Sequence, residues 1–308
     1  MSRPHIAVLG AGRMGTAIAY LFAASGHPVW LHDPDPAALD RADAELARIS
    51  ALRGNPAGRA GKAAASALRR SADLAAAVCG AGLVIEAVPE RADLKQQIFA
   101  ELGALTGAET ILASNTSAIP IRDLAAGVPA PGRVLGTHFW NPPYAVKLVE
   151  VVQAPATTAA TVAAAMQLLD GAGMRPVHVK RDVPGFVGNR LQHALKREAI
   201  ALVASGVCDA ETIDTVTKLG FGARLAVLGP MEQSDLVGLD LTLAIHETLM
   251  PDLDTTPVPH PLLVDLVARG ELGMNSGRGF RAWTAEQAQE VRDRLDAHLL
   301  ATSAERHG

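Results

Sequence analysis

His138 and Glu150 form a pair whose side-chain chemistry suits proton transfer. His138 ends a predicted strand over residues 134–138, and Glu150 lies in the next predicted strand, over residues 147–152. An imidazole titrates near neutral pH, and a carboxylate on its other ring nitrogen fixes the tautomer and stabilises the imidazolium. The Asn-Pro-Pro-Tyr segment at residues 141–144 could turn the chain back between the two strands. The pair therefore predicts a general base for the proton of a substrate hydroxyl group.

Two further polar residues could serve the oxygen atom of the same substrate. Ser117 ends the polar run at residues 114–117, and its hydroxyl could donate to an alkoxide or a carbonyl oxygen. Asn189, at the start of a predicted helix, could orient the same group. Plainer interpretations remain open. A histidine at a strand end is often structural, Glu150 could be a surface charge, the run 114–117 could cap a strand, and a helix start is often solvated.

Residues 10–15, Gly-Ala-Gly-Arg-Met-Gly, follow a predicted strand over residues 5–9 and open a predicted helix over residues 13–25. Glycines in this pattern allow a tight turn and a close approach to a pyrophosphate at the helix N-terminus. Asp33 ends the next predicted strand, at the spacing of an acid that binds ribose hydroxyls. Because Asp33 would repel a 2′-phosphate and no cation directly follows it, NAD is favoured over NADP. The residues predicted to contact NAD through this pattern are Gly10, Gly12, Arg13, Met14, Gly15 and Asp33.

Short apolar runs alternate with Ala-rich helical patterns, which predicts parallel strands joined by crossover helices. Further strands are predicted over residues 29–32, 83–88, 111–114 and 176–179, and further helices over residues 36–53 and from about residue 158. After Pro184 the helical pattern continues without a persuasive strand. The sequence thus predicts an α/β fold. A Rossmann-type, mostly parallel sheet domain over residues 1–183 precedes an all-α domain over residues 184–308.

Length and composition exclude several other classes of protein. The 308 residues are 49% hydrophobic and carry 28 Lys plus Arg against 32 Asp plus Glu, so no basic excess favours nucleic acid as a partner. Cys79 and Cys208 form no C-x-x-C pair, which excludes a disulfide scaffold and a zinc ribbon. Residues 26–28, Gly-His-Pro, interrupt the uncharged stretch at residues 14–31, so no bilayer span is predicted. We expect no metal, no membrane partner and a reducing, cytoplasmic location.

Six segments occur in the order and at the spacing of one known family. They are GAGRMG at 10–15, VIEAVPE at 84–90, SNTS at 114–117, HFWNPP at 138–143, KLVEV at 147–151 and PGFVGNR at 184–190. Together they resemble the 3-hydroxyacyl-CoA dehydrogenase family, from residue 5 to about residue 283. The resemblance implies NAD-linked interconversion of a 3-hydroxyacyl-CoA and a 3-oxoacyl-CoA. It also implies a homodimer that assembles through the helical domain.

The resemblance assigns roles to positions of this sequence. The matched positions are His138 as catalytic base, Glu150 as the carboxylate that orients it, Ser117 and Asn189 around the reacting oxygen, and Glu90 and Lys95 at the nicotinamide ribose. Asn115 is also predicted to contact the cofactor, and Asn141 the substrate. We therefore expect a site that joins residues from distant parts of the chain.

Two regions leave the substrate open. A basic cluster could bind the phosphates of coenzyme A or could be a solvated face; it comprises Arg53, Arg59, Lys62, Arg69 and Arg70. Residues 219–231 look like the branch that contains L-gulonate 3-dehydrogenase (lambda-crystallin), carnitine dehydrogenase and a pyridine-carboxylate alcohol dehydrogenase. Arg224 in this segment could bind a free carboxylate through two hydrogen bonds or form a surface ion pair.

Two alternatives to an acyl-CoA enzyme follow. The first is an NAD-dependent dehydrogenase of a small free hydroxy acid or polar alcohol. The second is a non-catalytic, crystallin-like or NAD-sensing protein, and the intact set of Ser117, His138, Glu150 and Asn189 weighs against it.

Overall fold

The computed structural model describes residues 3–53 and 67–305, and the strands of this part form one sheet. The strands are β1 (His5–Leu9), β2 (Val29–His32), β3 (Leu68–Ser71), β4 (Ala81–Glu86), β5 (Ile111–Ser114), β6 (Val134–Phe139), β7 (Leu148–Val152) and β8 (Arg175–Val179). The helices are α1 (Arg13–Ala24), α2 (Pro36–Leu52), α3 (Leu74–Val78), α4 (Ala92–Leu105), α5 (Ile121–Ala125), α6 (Ala159–Gly171), α7 (Gly188–Ala204), α8 (Ala210–Leu219), α9 (Pro230–Val237), α10 (Leu239–Leu249), α11 (Pro261–Ala268) and α12 (Ala285–Glu305).

The sheet has the order β3-β2-β1-β4-β5-β6-β7-β8. Its neighbouring strands run parallel except for β6 and β7, which run antiparallel. The strand order reverses between β1 and β4. In a sheet of this kind, the reversal opens a crevice at the carboxyl ends of the strands, where ligands bind. The glycine-rich segment that follows β1 lies at this crevice.

Apolar side chains on both faces of the sheet make it a buried platform. In β1, Ile6 and Val8 pack on one face with residues of α1, α2 and α6. Ala7 and Leu9 pack on the other face with residues of α3, α4 and α5. Burial on both faces explains why the central strands β1, β4 and β5 read as nearly continuous apolar runs. The polar residues that follow the strands are therefore held on a rigid support.

The α/β fold with a mostly parallel Rossmann-type sheet and a helical C-terminal part confirms the predicted fold class. Among the described residues after 185, the only β pairing is an isolated pair of bridges at Gly273, Arg278 and Ala282. One strand, β3, is not among those that the sequence predicts. Its sequence is Leu-Arg-Arg-Ser, and a short, charged strand at a sheet edge lacks the apolar pattern by which strands are recognised.

Contacts within the chain divide it into two compact units, which are Met1–Arg190 with Leu295–Gly308, and Leu191–Arg294. The predicted boundary between residues 183 and 184 stays a prediction.

No helix in the described ranges is long and apolar enough to cross a membrane. Cys79 and Cys208 are free thiols. The predicted loop after α2, with Arg59 and Lys62, lies outside the described residues.

Gly15 and Gly12 provide a matched test of the turn after β1. A Cβ atom at Gly15 would lie 1.9 Å from the carbonyl oxygen of Gly10, whereas a Cβ atom at Gly12 would meet nothing within 4 Å. We expect Gly15→Ala to lower the free energy of unfolding by about 3 kcal/mol, because overpacking outweighs the better helix propensity of alanine. We expect Gly12→Ala to lower it by about 1 kcal/mol or less. Urea unfolding measures both changes, and equal losses would contradict this account of the turn.

Candidate active site

The antiparallel pairing of β6 with β7 brings His138 and Glu150 together. The two residues are direct cross-strand partners, so their side chains leave the sheet on the same face. His138 Nδ1 lies 2.9 Å from Glu150 Oε2. The two side chains are only 7% and 2% exposed. A histidine and a carboxylate that are separated along the chain thus form one buried hydrogen-bonded pair.

Backbone groups hold the second oxygen of Glu150. Its Oε1 accepts hydrogen bonds from the N–H groups of Val187 and Gly188, each at 3.0 Å. Burial alone would raise the pKa of Glu150, but the hydrogen bonds from His138 and these two N–H groups outweigh burial and lower that pKa. Glu150 is therefore a charged acceptor at neutral pH. Since a carboxylate only accepts, Nδ1 of His138 carries the proton and Nε2 is left to exchange one.

Ser117 and Asn189 complete the group around His138. Ser117 Oγ lies 3.2 Å from His138 Nε2, on the ring nitrogen that Glu150 does not use. Asn189 Nδ2 donates to the carbonyl oxygen of Ser117 at 3.2 Å, so the start of α7 is tied to the turn after β5. The structure thus brings all four residues with predicted catalytic roles into one contiguous group.

Glu90 holds the turn that carries Ser117. Its Oε1 accepts from Thr116 Oγ1 at 2.5 Å and from the backbone N–H groups of Ser117 and Ala118 at 3.0 and 3.2 Å. Burial would raise the pKa of Glu90, but the Thr116 hydrogen bond, the charge of Lys95 and the Ser117 N–H lower it. The charged Glu90 is therefore a clamp on the turn at residues 116–118.

Lys95 and Glu86 form a fully buried ion pair beside this turn. Lys95 is 1% exposed and Glu86 is 0% exposed, and Lys95 Nζ lies 2.7 Å from Glu86 Oε1. Lys95 Nζ also lies 3.2 Å from Glu90 Oε2 and 3.3 Å from the carbonyl oxygen of Val88. Protein oxygens thus surround the ammonium group. The predicted contact of Lys95 with the ribose stays a prediction.

Sequence reasoning assigned no role to Glu86 and none to the backbone N–H groups of Val187 and Gly188. A signal for Glu86 is present, because an acidic residue inside the apolar run 83–88 needs a buried partner. Backbone donors leave no such signal, since any residue type supplies an N–H group.

The other predicted residues of this region lie in different surroundings. Asn115 Oδ1 accepts the N–H of Phe139 at 2.9 Å, which links the turn after β5 to the end of β6. Asn141 is exposed in the loop after β6, and no hydrogen bond within the described part of the chain links its side chain to His138.

The ring of Trp140 lies 5.7 Å from that of His138, between centroids. A Cβ atom at Gly188 would lie 2.2 Å from Trp140 Cζ2, so this close packing requires a glycine.

The turn after β1 has the form of a phosphate cradle. Gly10 has a φ of +96°, and a Cβ atom there would lie 2.7 Å from the carbonyl oxygen of Ala87. Gly12 is the N-cap of α1, provides no side-chain cap, and has open space where a Cβ atom would point. The N–H groups of the first turn of α1, which begins with Arg13 and Met14, are therefore uncapped and suit an anion.

Asp33 lies beside this turn, directly after β2. Its Oδ2 accepts the N–H of Ala11 at 2.9 Å, and its Oδ1 accepts the N–H of Asp35 at 3.0 Å. These bonds fix the carboxylate at the edge of the crevice, where it suits ribose hydroxyls and opposes a 2′-phosphate. The open glycine turn and the fixed acid together fit a bound NAD molecule.

The basic residues proposed for the substrate differ in their surroundings. Arg53 donates to the carbonyl oxygen of Tyr144 at 2.7 Å, Arg69 lies over the ring of Trp30, and Arg70 pairs with Asp43. These residues therefore have partners within the protein. Arg224 lies in the unit Leu191–Arg294, directly after a 3-10 helix over Phe221–Ala223. It is exposed, and no carboxylate in the described ranges pairs with it.

Two family models together match most of the chain. The model for the 3-hydroxyacyl-CoA dehydrogenase NAD binding domain matches residues 5–183, and the model for the 3-hydroxyacyl-CoA dehydrogenase C-terminal domain matches residues 185–283.

Individual relatives are similar over nearly their whole length. The chain is 37% identical over 297 residues to 5-formyl-3-hydroxy-2-methylpyridine 4-carboxylate 5-dehydrogenase of Mesorhizobium japonicum, covering 96% of each protein. It is 40% identical over 285 residues to a probable 3-hydroxybutyryl-CoA dehydrogenase of Bacillus subtilis, covering 91% of this chain and 97% of that one.

A crystal structure of 5-formyl-3-hydroxy-2-methylpyridine 4-carboxylic acid 5-dehydrogenase, described as an NAD+ dependent dismutase, is also similar. The TM-score is 0.90 at 36% identity, and the match covers 100% of this chain and 99% of that one. The predicted family and the predicted cofactor are thereby confirmed. This chain belongs to the 3-hydroxyacyl-CoA dehydrogenase family and is an NAD-dependent oxidoreductase.

Proposed function

We propose that the chain oxidises an alcohol to a carbonyl compound, reversibly, with His138 as the general base. The observation that carries this proposal is the buried pair of His138 Nδ1 and Glu150 Oε2, 2.9 Å apart, with Nε2 directed toward Ser117. NAD+, when bound, would accept the hydride from the alcohol carbon.

The chain's own residues manage the proton and the substrate oxygen. His138 Nε2 takes the hydroxyl proton as the alcohol is oxidised, and the charged Glu150 stabilises the resulting imidazolium. Ser117 Oγ can donate to the substrate oxygen, on which negative charge changes during the reaction. Asn189 holds the Ser117 turn through the carbonyl oxygen of Ser117. In the reverse direction, the imidazolium returns the proton to the carbonyl oxygen.

A small substrate with a free carboxylate is the class that we favour. The similarity to the Mesorhizobium japonicum pyridine-carboxylate enzyme supports it, because that similarity covers 96% of both chains. Arg224 supports it as well, since an exposed guanidinium without a carboxylate partner among the described residues can bind a substrate carboxylate through two hydrogen bonds.

A 3-hydroxyacyl-CoA is the second candidate substrate. The 40% identity to the probable 3-hydroxybutyryl-CoA dehydrogenase of Bacillus subtilis supports it. The partners of Arg53, Arg69 and Arg70 within the protein weaken the proposal that these three residues bind the phosphates of coenzyme A.

We also propose that the chain forms a homodimer through its helical unit. Within that unit, Leu236, Leu239 and Leu243 are 70%, 63% and 60% exposed on neighbouring parts of α9 and α10. Highly exposed leucines of this kind favour association with a second apolar surface. The free thiols of Cys79 and Cys208 support a reducing compartment such as the cytoplasm.

His138→Gln tests the proposed base. We expect the turnover number to fall by about 10²–10⁴-fold, because glutamine cannot take the proton, and the affinity for NADH to change by less than about threefold. Glu150→Gln should lower the turnover number by a comparable factor, because its amide cannot stabilise the imidazolium. Steady-state kinetics and NADH titration measure these effects. The matched control is His178→Gln, on the exposed strand β8, and a turnover number within threefold of wild type in His138→Gln would refute the proposal.

Arg224→Ala separates the two substrate classes. NADH absorbance is followed with 3-hydroxybutyryl-CoA, L-gulonate, carnitine and a hydroxymethyl pyridine carboxylate. For a carboxylate substrate we expect kcat/KM to fall by about 10–100-fold, because a charge-assisted contact is lost. Arg224→Lys should recover only part of the loss, since lysine lacks the planar fork. Oxidation of the acyl-CoA alone, with no effect of Arg224→Ala, would instead support the second class.

Leu239→Glu with Leu243→Glu tests the proposed dimer. Sedimentation velocity should show a dimer for the wild-type chain and a monomer for the double variant, because two carboxylates would be buried without partners in the interface. Leu105→Glu, at the exposed end of α4, is the control and should leave the dimer intact. A wild-type chain that sediments as a monomer would contradict the proposal.

A further inference from the structure

Glu86 is a buried acid that the proposed reaction does not use directly. Its Oε1 accepts from Lys95 Nζ at 2.7 Å and from the N–H of Val88 at 2.8 Å. Its Oε2 accepts from Ser114 Oγ at 2.6 Å. Glu86 is the last residue of β4 and Ser114 is the last residue of β5, and the two are partners in the parallel register. Both oxygens of Glu86 are thus fixed at the carboxyl ends of the central strands.

Lys95 transmits this fixed position to the turn that carries Ser117. It lies between Glu86 Oε1, at 2.7 Å, and Glu90 Oε2, at 3.2 Å. The other oxygen of Glu90, Oε1, accepts from the N–H groups of Ser117 and Ala118. Ser117 Oγ in turn lies 3.2 Å from His138 Nε2. A continuous series of hydrogen bonds therefore leads from the sheet to the imidazole.

Stability alone does not account for this arrangement. Removing the charges of Glu86 and Lys95 from water is costly, and apolar residues of similar size often stabilise a buried site as well or better. The ion pair instead fixes the position of the Lys95 ammonium group. Lys95 has one acceptor fixed on the sheet and a second, Glu90, that is 42% exposed in its side chain. Glu86 therefore determines where the ammonium group sits, and the ammonium group determines where Glu90 sits.

We propose that Glu86 is a positioning residue of the active site. By fixing Lys95, and through it Glu90, it holds the turn at residues 116–118 so that Ser117 Oγ faces His138 Nε2. Lys95 acts through Glu90 in this account. The proposal rests on the proposed role of His138.

Glu86→Gln is the first variant, because it keeps the size of the side chain and removes its charge. We expect kcat to fall by about 10–100-fold, because a small displacement of Ser117 slows the reaction. The KM for the alcohol substrate should change by less than about threefold, because no binding contact is removed. Amide hydrogen exchange at Ser117 and Ala118 should quicken by about tenfold, because the acceptor of both N–H groups is less firmly held. Glu109→Gln, an exposed glutamate just before β5, is the matched control and should change neither quantity.

Lys95→Met and the double variant Glu86→Gln/Lys95→Met distinguish positioning from a structural role. Lys95→Met leaves the charge of Glu86 buried without a cation, so the double variant should resist urea better than Lys95→Met. We expect its kcat to stay as low as that of Lys95→Met, because Glu90 lacks its cation in both variants. A merely structural role instead predicts that kcat recovers together with urea resistance.

The outcomes separate this proposal from the proposed function. Wild-type kcat and wild-type exchange in Glu86→Gln, or recovery of kcat in the double variant, would overturn the positioning role. If His138→Gln is inactive in that case, the proposed function stands. An active His138→Gln variant would refute the proposed function. Faster amide exchange at Ser117 and Ala118 in Glu86→Gln would even then show that Glu86 holds the turn.

Discussion

The antiparallel pairing of β6 with β7 is the constraint on which the active site depends. A parallel strand at this place would need a long crossover connection, and its side chains would come from a distant part of the sequence. The short return through residues 140–147 instead makes His138 and Glu150 direct partners. Both side chains are buried, and both belong to interior strands of the sheet. The backbone register therefore places the two side chains within hydrogen-bond distance. Their hydrogen bond in turn opposes rotation of the histidine ring.

Buried charge is the second organising element of the site. Burial would raise the pKa of Glu150 and of Glu90. Hydrogen bonds and neighbouring positive charge outweigh burial at both residues, so the pKa of each carboxyl group is lowered. The donors to Glu150 include two backbone N–H groups near the start of α7, and those to Glu90 include two N–H groups of the turn after β5. The same bonds that keep the acids ionised fix the segments that carry Asn189 and Ser117. Ionisation and geometry are thus maintained by one set of contacts.

The sequence allowed good prediction of features with a local or periodic signature. Buried parallel strands read as apolar runs, and the glycine turn combined with Asp33 indicated a dinucleotide. Two predicted strands and a turn rich in proline indicated that His138 and Glu150 could meet. Features that arise only from tertiary contact were less accessible. The edge strand β3 has two arginines among its four residues, and the direct contact of Glu86 with Lys95 requires knowing how α4 packs beside β4. Backbone donors to Glu150 have no residue signature at all.

The residues of the two compact units differ in how strictly the backbone fixes them. His138, Glu150, Ser117 and the glycine turn after β1 lie in the unit Met1–Arg190 with Leu295–Gly308, on strands and the turns directly after them. Arg224 lies in the unit Leu191–Arg294, in an irregular segment between helices. Strands tolerate few insertions or deletions, because a shift of one residue in register moves every side chain to the other face. An irregular segment between helices has no such register and can exchange one side chain for another. Insertions and deletions are therefore restricted more strongly around His138 and Glu150 than around Arg224.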